Sequence, residues 1–284
     1  MRAPRARRRA FATLERWLAS EDEERRRAHR PLRTARAHLG YAEPLADLIA
    51  TFRFDRPVAV LGDVHGRSDL LDALLPLLGD RPLLVAGDVI DRGLDSAGTI
   101  ARLLARGAVG VRGNHEDWLL AWLRGDGLDD WVLRPMMGGL ATLRSYGVTG
   151  RGIGELETQA YRVPAAHRAW LETLALVGDL EVMGQRYWLI HGGVPGSVAL
   201  TGLTLDEVVP FFVANHPSAL LWGATEPKAM PPLGRPLIMG HQAREEPLDT
   251  GDVLAIDTGS ATLEGGGRLT ALLLPERRFI TVGP

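Results

Sequence analysis

Short apolar runs alternate with helix-like segments in the first half of the sequence. Apolar stretches at 58–61, 83–86 and 109–111 are each followed by glycine and polar residues. Between them, 70–78 and 97–105 carry apolar side chains at the three- and four-residue spacing of amphipathic helices. This alternation of strand, loop and helix predicts βαβ units and a parallel sheet.

The remaining sequence divides into a helical middle and a strand-rich end. The segment from about 117 to 176 shows helical spacing and few strand-like runs. Strand-like runs then return at 187–190, 237–239, 253–256, 269–274 and 279–282. The last two are separated by four residues beginning with Pro275, and they predict a closing antiparallel hairpin.

The first 45 residues differ in composition from the remainder. Residues 1–40 contain twelve arginines and five acidic residues, a net charge of +7, while the rest of the chain carries −9. Apolar side chains recur at helical spacing between residues 10 and 19. They are Phe11, Leu14, Trp17 and Leu18. We therefore predict a basic helical extension at 1–45 and one further domain at 46–284. The extension either packs its apolar face on that domain or contacts nucleic acid or an acidic protein.

Composition excludes several classes of protein. The sequence contains no cysteine, which excludes disulfides, cysteine-ligated zinc, iron–sulfur clusters and a cysteine nucleophile. No apolar run approaches the roughly 18–20 residues that span a bilayer, so we expect no membrane-spanning segment. The basic start is not followed by the apolar core of a signal peptide, and we predict a cytoplasmic location.

Polar side chains that can bind metal ions follow five of the apolar runs. In an open α/β sheet the loops at the carboxyl ends of the strands converge, so these side chains should meet at one edge. Their oxygen and nitrogen donors suit Mn, Fe or Zn better than calcium or copper. The residues are Asp63, His65, Asp88, Asp91, Asn114, His115, His191 and His241.

Most of these donors divide between two metal ions. One ion is expected on Asp63, His65 and Asp88. The other is expected on Asp88, Asn114, His191 and His241. Asp88 has two carboxylate oxygens and can bridge the pair. Two ions about 3.5–4 Å apart would share a hydroxide that attacks phosphorus without a covalent enzyme intermediate.

Three further roles complete the predicted site. The ring of His115, which directly follows Asn114, can protonate the leaving oxygen as general acid. Asp91 can hold that imidazole in the required tautomer. The planar fork of Arg92 can bind two phosphate oxygens, and Asn114 is also expected to contact the substrate.

The motifs that carry these residues resemble those of a known family. They are GDVHG at 62–66, GDVIDRG at 87–93, GNHE at 113–116, HGG at 191–193 and GH at 240–241. In this order they resemble the signatures of the phosphoprotein-phosphatase family of calcineurin-like metallophosphoesterases, nearer its bacterial-type branch. The resemblance covers about residues 55–260. It implies a four-layer α/β/β/α sandwich with a helical insertion, a dinuclear Mn- or Fe-type centre and phosphoester hydrolysis, with the residue roles given above.

The sequence departs from the family pattern at two positions. Gln242 stands where threonine commonly follows the last histidine. A second phosphate-binding arginine often lies soon after a Leu-Trp pair, but none stands there after Trp222. Lys228 or Arg235 is the candidate replacement, or Arg92 binds phosphate alone.

Three functions remain open. We favour a serine/threonine protein phosphatase that acts on phosphorylated proteins or peptides. The alternatives are a symmetrical diadenosine tetraphosphate hydrolase, which acts on a small phosphoester, and a non-catalytic phosphate-binding module. A dinucleotide substrate would require base stacking by aromatic residues such as Trp118, Trp122 or Trp131, which we otherwise expect in packing. Glu116 is expected to cap the following helix rather than to join catalysis.

Overall fold

The computed structural model describes residues 10–16, 48–195, 200, 202–223, 226–232, 234–261 and 267–283. Within these ranges the strands form one six-stranded and one five-stranded sheet. The strands are β1 (Ile49–Phe54), β2 (Val58–Leu61), β3 (Leu83–Val85), β4 (Val109–Gly110), β5 (Val177–Val182), β6 (Gln185–Ile190), β7 (Leu237–Met239), β8 (Leu248–Asp249), β9 (Val253–Ala255), β10 (Leu269–Leu274) and β11 (Arg278–Val282).

Helices lie on the outer faces of both sheets. They are α1 (Ser68–Leu78), α2 (Ser96–Ala105), α3 (Asn114–Arg124), α4 (Gly139–Ser145), α5 (Ile153–Glu157), α6 (Ala165–Thr173), α7 (Leu205–Asn215) and α8 (Ala219–Trp222). Short 3₁₀ segments lie at Asp130–Leu133, Ala160–Arg162 and Pro227–Ala229. The middle of the chain, from α3 to α6, is helical as the sequence predicts.

The five-stranded sheet has the order β11-β10-β2-β3-β4. Its strands β2, β3 and β4 pair in parallel, joined by α1 and α2, and this confirms the predicted βαβ units. The strand β10 pairs antiparallel with both β2 and β11, and the latter pair is the predicted hairpin. The six-stranded sheet has the order β1-β5-β6-β7-β9-β8 and combines parallel and antiparallel pairs.

The side chains of β2 show why the strands read as continuous apolar runs. Val58 and Val60 belong to an inner cluster that fills the space between the two sheets. Ala59 and Leu61 point the other way, into a first outer cluster formed with the helices from α1 to α6. Both faces of the strand are therefore buried, and no polar position interrupts the run.

The strand β6 repeats this alternation in the other sheet. Tyr187 and Leu189 face the inner cluster, while Trp188 and Ile190 face a second outer cluster that contains α7 and α8. Helix, sheet, sheet and helix thus follow one another through the molecule, which confirms the predicted four-layer α/β/β/α sandwich.

The described part of the N-terminal extension packs on the second outer layer. Residues 10–16 are helical, Leu14 is fully buried in the second outer cluster, and the ring of Phe11 lies 5.4 Å from that of Phe211. Trp17 and Leu18 lie outside the described residues. The boundary at residue 45 stays a prediction. Among the described residues, no helix is both long and apolar enough to cross a membrane.

Candidate metal centre

Loops from both sheets bring the predicted donors to one edge of the sandwich. Asp63 and His65 follow β2, Asp88 follows β3, and Asn114 with His115 opens α3 after β4. From the other sheet, His191 follows β6 and His241 follows β7. The strands β2, β3 and β4 run parallel to one another, and so do β6 and β7, so within each sheet their carboxyl ends meet at one edge.

Two groups of donor atoms share Asp88. The ligand-type atoms of His65, Asp88 and His115 lie within 4.8 Å of one another, and so do those of Asp88, His191 and His241. The Asp88 carboxylate reaches both sides, with Oδ1 3.3 Å from His191 Nε2 and Oδ2 3.8 Å from His65 Nε2. This is the arrangement expected of a carboxylate between two metal positions.

Asp63 and Asn114 lie beside the second group rather than inside either. The backbone N–H of His241 donates to Asp63 Oδ2 at 3.0 Å. Asn114 Oδ1 lies 3.1 Å from His191 Nε2. The first group contains His115, which the sequence assigned to acid catalysis, where Asp63 was expected. The structure therefore brings all six predicted metal ligands into one region, in which His241 is partly exposed and the other five are buried.

Hydrogen bonds aim the imidazoles at the centre. His65 Nδ1–H donates to the Ile90 carbonyl at 2.9 Å, and His191 Nδ1–H donates to the Ala86 carbonyl at 2.8 Å. Each bond places the proton on Nδ1, so that Nε2 of both rings carries a lone pair that can bind a cation. A set of carboxylate, amide and imidazole donors without thiolates fits a divalent ion such as Mn, Fe or Zn.

The electrostatic balance of the buried carboxylates also favours cations. Burial and the neighbouring carboxylates of Asp257 and Asp88 raise the pKa of Asp63 well above its ordinary value. Burial likewise raises the pKa of Asp88, but three imidazoles, His115 first among them, outweigh it and hold that pKa well below the ordinary value. Burial and the charge of His191 lower the pKa of His241 to about 3.

Unusual backbone conformations accompany the site. Five of its non-glycine residues have positive φ angles, a region that most side chains avoid. They are His65 (47°), Asp88 (51°), Asp91 (72°), Arg92 (62°) and His241 (69°). Two motif glycines serve close approach instead: a Cβ at Gly113 would collide with the Asp88 carboxylate, and one at Gly240 with the Asp63 carboxylate.

The predicted acid pair is present next to the shared carboxylate. His115 Nδ1–H donates to Asp91 Oδ2 at 2.6 Å, and its Nε2 faces Asp88 Oδ2 at 3.7 Å. Burial lowers the pKa of His115, but the carboxylates of Asp88 and Asp91 outweigh it and raise that pKa above its ordinary value. The raised pKa favours the protonated imidazole that a general acid requires.

Arg92 lies exposed at the mouth of this region. Its Nη1 lies 2.8 Å from His65 Nε2, and its Nη2 lies 3.3 Å from His115 Nε2. The Nε group donates to the Met136 carbonyl at 3.2 Å, which ties the arginine to the helical part of the chain. The guanidinium is therefore placed where it can meet a phosphate above the centre.

Neither predicted replacement for a second arginine is seen to reach the centre. Arg235 pairs with Asp179 at 2.7 Å and with Asp206 at 2.8 Å. Its guanidinium stacks 3.7 Å from the ring centroid of Trp188, whose side chain belongs to the second outer cluster. Lys228 is exposed in a 3₁₀ segment. Arg235 is thus held on the outer side of the six-stranded sheet.

Glu116 and Asp257 are two further buried carboxylates in this region. Glu116 accepts N–H groups from Gly113 and Asp88, each at 2.8 Å, so it caps α3 as expected and also ties the loop after β3 to that cap. Asp257 was not predicted as part of the site. Its Oδ1 accepts the Gly259 N–H at 2.8 Å. Its position after an apolar run was a signal in the sequence that could have identified it.

A family model of known proteins matches more than half of this sequence. Residues 56–245 match the calcineurin-like phosphoesterases. The chain belongs to this family. The match covers all predicted metal ligands and confirms the family expected from the motifs, a family that uses divalent metal ions.

The individual proteins that resemble this chain share only part of its sequence or a low identity with it. The chain is 38% identical over 92 residues to serine/threonine-protein phosphatase 1 of Salmonella typhimurium, a match that spans 28% of this chain and 42% of that protein. The crystal structure of a candidate diadenosine tetraphosphatase aligns with a TM-score of 0.52 at 20% identity, over 83% of this chain and 97% of the other. A cold-active protein-tyrosine phosphatase from a Shewanella species aligns at 0.48 and 18% identity, over 84% and 82%. Structural likeness at such identities concerns the fold.

Proposed function

We propose that the protein hydrolyses phosphate monoesters, with phosphoserine and phosphothreonine in proteins as the favoured substrates. The observation that carries the proposal is the sharing of Asp88 between two groups of metal-type donors, directly beside the His115–Asp91 pair. A binding module would need no such acid pair. The partial match to a serine/threonine phosphatase supports the choice of substrate.

Two divalent ions complete the proposed site, with Mn favoured and Fe or Zn as alternatives. The residues that would hold them are Asp63, His65, Asp88, Asn114, His191 and His241. When bound, such ions supply Lewis-acid polarisation of the phosphoryl group and lower the pKa of the attacking water. The soft-ligand metals are disfavoured because the site offers no thiolate or thioether.

The remaining steps belong to side chains of this chain. Arg92 binds two phosphate oxygens with its planar fork, and the Asn114 amide contacts the phosphoryl group. His115 holds a proton on Nε2 and donates it to the leaving oxygen, while Asp91 keeps Nδ1–H engaged. The leaving alcohol therefore departs neutral rather than as an alkoxide.

Replacement of the shared carboxylate tests the centre. Asp88→Asn should lower kcat for p-nitrophenyl phosphate, assayed with added Mn, by at least about a hundredfold, because both donor groups lose the same negative charge. Asp72→Asn is a matched control, since Asp72 is exposed and pairs with Arg102 outside the site. Full activity of the Asp88 variant would overturn the proposed centre.

Relative rates decide between the substrate classes. We expect wild-type protein with Mn to hydrolyse a phosphoserine peptide faster than diadenosine tetraphosphate at equal concentrations. Faster cleavage of the dinucleotide would mean that the protein is a diadenosine tetraphosphate hydrolase rather than a protein phosphatase. Failure to hydrolyse either compound or p-nitrophenyl phosphate would leave the non-catalytic module as the function. Contact of residues 1–40 with nucleic acid or an acidic protein, and a cytoplasmic location, stay predictions.

A further inference from the structure

We propose that Trp118 and Thr142 are positioning residues for the general acid, acting on His115 through Asp91. The proposal rests on the function proposed above, in which His115 protonates the leaving oxygen. Both residues belong to the helical middle of the chain, Trp118 in α3 and Thr142 in α4. The helical layer would then orient the acid as well as cover the sheet.

The Asp91 carboxylate accepts three hydrogen bonds. His115 Nδ1–H and Trp118 Nε1–H both donate to Oδ2, at 2.6 and 2.7 Å. Thr142 Oγ1–H donates to the other oxygen, Oδ1, at 2.5 Å. Because the donors hold both oxygens, the carboxylate cannot rotate without breaking a bond, and the bond to His115 keeps one direction.

The backbone of Asp91 is held by the same threonine. Its N–H contacts Thr142 Oγ1 at 2.9 Å and Ser96 Oγ at 3.0 Å, and the two hydroxyls lie 2.8 Å apart. Asp91 has a φ of 72°, a conformation that costs an aspartate energy unless its surroundings fix it. Thr142 therefore fixes the main chain and the side chain of Asp91 together.

Burial makes these contacts effective. Asp91, Ser96 and Thr142 are fully buried, and His115 is 1% exposed. Hydrogen bonds to a carboxylate in such surroundings are short and strong because water does not compete for the acceptor. Loss of one donor should therefore loosen the carboxylate, and the imidazole would hold less firmly the orientation that points Nε2 at the centre.

If Trp118 served only in packing, its replacement would act through lost packing alone. A second tryptophan of the same helix provides the control for that effect. Trp122 lies one turn further along α3, is 2% exposed, and its Nε1 has no hydrogen-bond partner in the part of the chain that the structure describes. Trp122→Phe removes the same indole from the same helix without touching Asp91. Thr142→Ser keeps the hydroxyl that Thr142→Val removes.

The test compares two leaving groups. Phenolate leaves reluctantly and needs a proton, whereas p-nitrophenolate is stable without one. With Trp118→Phe or Thr142→Val, kcat for phenyl phosphate should fall about tenfold more than kcat for p-nitrophenyl phosphate, a part of the 10²–10⁴-fold that general acids contribute. Trp122→Phe should leave the ratio of the two rates unchanged, and Thr142→Ser should recover it.

A second measurement does not depend on activity. In metal-free protein, the His115 Nδ1 proton should give a far-downfield NMR signal because it is bound to a carboxylate. We expect Trp118→Phe and Thr142→Val to shift or broaden this signal, and Trp122→Phe to leave it in place. An unchanged ratio of rates in both variants would overturn the proposal, whether or not the signal moves.

His115→Asn separates this inference from the proposed function. If His115 is the acid, its removal alters the ratio of the two rates, and Trp118→Phe adds no further change in that background. If His115→Asn leaves the ratio unchanged, the acid role fails and the positioning role fails with it. If His115→Asn alters the ratio but neither positioning variant does, the acid role stands and only the inference is wrong.

Discussion

Strained residues in the candidate centre are held in place by specific backbone contacts. The N–H of Arg92 donates to the Gly138 carbonyl at 3.3 Å, and that of His241 donates to the Asp63 carboxylate at 3.0 Å. A non-glycine residue in the left-handed region costs about 1–3 kcal/mol, and it persists only where its neighbours define it. Each contact therefore links local strain to the placement of a functional side chain.

Gly240 tests how tightly the donors are placed. Gly240→Ala puts a methyl group against the Asp63 carboxylate, which must move away from the centre. We expect the affinity for Mn to fall about 10- to 100-fold, the range seen when supporting contacts of a metal ligand are lost. Calorimetric titration of Mn into metal-free protein measures the change.

Gly154→Ala provides the control for that substitution. Gly154 lies in α5, and a Cβ there meets nothing within 4 Å. Wild-type affinity in the Gly240 variant, with circular dichroism showing a folded protein, would mean that Asp63 is not required at its present position.

The meeting of the candidate ligands could be predicted from sequence because each lies within a few residues of the end of an apolar strand. His65 and Asp88 stand where two neighbouring parallel strands end, so topology alone brings them together. Trp118 and Thr142 carried no such signal. They meet Asp91 from 27 and 51 residues away, and a tryptophan in an amphipathic helix first indicates packing.

At the scale of elements, the sequence pattern missed the adjacent strands β1 and β5. The first of these, β1, shows why. Its sequence alternates partly buried and exposed positions, and it pairs in parallel with β5 across a long separation in the chain. Only one face is covered, so it lacks the continuous apolar run that marked β2 and β3. The two-residue strand β8 is too short to produce a periodic pattern.

An ion-pair network joins β5, β7 and α7 on the second outer layer. Asp179 of β5 accepts hydrogen bonds from Arg235, which precedes β7, and Arg186, which lies in β6. Partial burial raises the pKa of Asp179, but the two guanidinium groups outweigh it and lower the pKa below its usual value of 3.8. The ionised carboxylate therefore stabilises the folded chain.

This network predicts a pH-dependent loss of stability. Asp179→Asn should reduce the free energy of unfolding at pH 7 by about 1–2 kcal/mol, as expected for hydrogen bonds to a charged group. Because the pKa of Asp179 is lower in the folded chain than the usual 3.8, its stabilisation is fully present at pH values above about 4. As the pH falls below about 4 the carboxylate becomes protonated, and the difference in stability between wild type and Asp179→Asn should narrow. Urea denaturation at several pH values measures it.

A surface pair serves as the comparison. Glu172→Gln breaks the exposed contact of Glu172 with Arg168 within α6. It should cost no more than about 0.5 kcal/mol. Equal losses in both variants, or a difference for Asp179→Asn that does not change with pH, would contradict the assigned cause.

At the scale of the whole molecule, function depends on two sheets that contribute different donors to one edge. The inner cluster locks the sheets together, and the two outer clusters attach the helical layers. Aromatic contact also joins the two halves at this edge, since the rings of Trp131 and Trp222 lie 5.4 Å apart and Trp222 lies 5.9 Å from His241. Movement between the halves would therefore disturb the ligands directly.

The helical segment at 10–16 extends the second outer cluster. Among the described residues, no contact joins this segment to the candidate metal ligands. Leu14 is fully buried there, so Leu14→Ala should lower the free energy of unfolding by about 2–5 kcal/mol, the usual cost of a cavity in a core. Because the segment packs on α7, far along the chain from the acid pair, kcat for p-nitrophenyl phosphate should stay at the wild-type value wherever the variant is folded. Thermal denaturation and a Mn-supplemented assay on the same preparation measure both quantities.

Glu15→Ala is the control, since Glu15 is exposed on the same helical segment. It should leave both stability and turnover unchanged, because surface substitutions away from specific contacts usually shift stability by no more than about 0.5 kcal/mol. If Leu14→Ala were as stable as wild type, the segment would not be anchored by its apolar face, and contact with a charged partner would become the better account of the basic extension. If it lost turnover while still folded, the packing of the second outer layer would influence the centre.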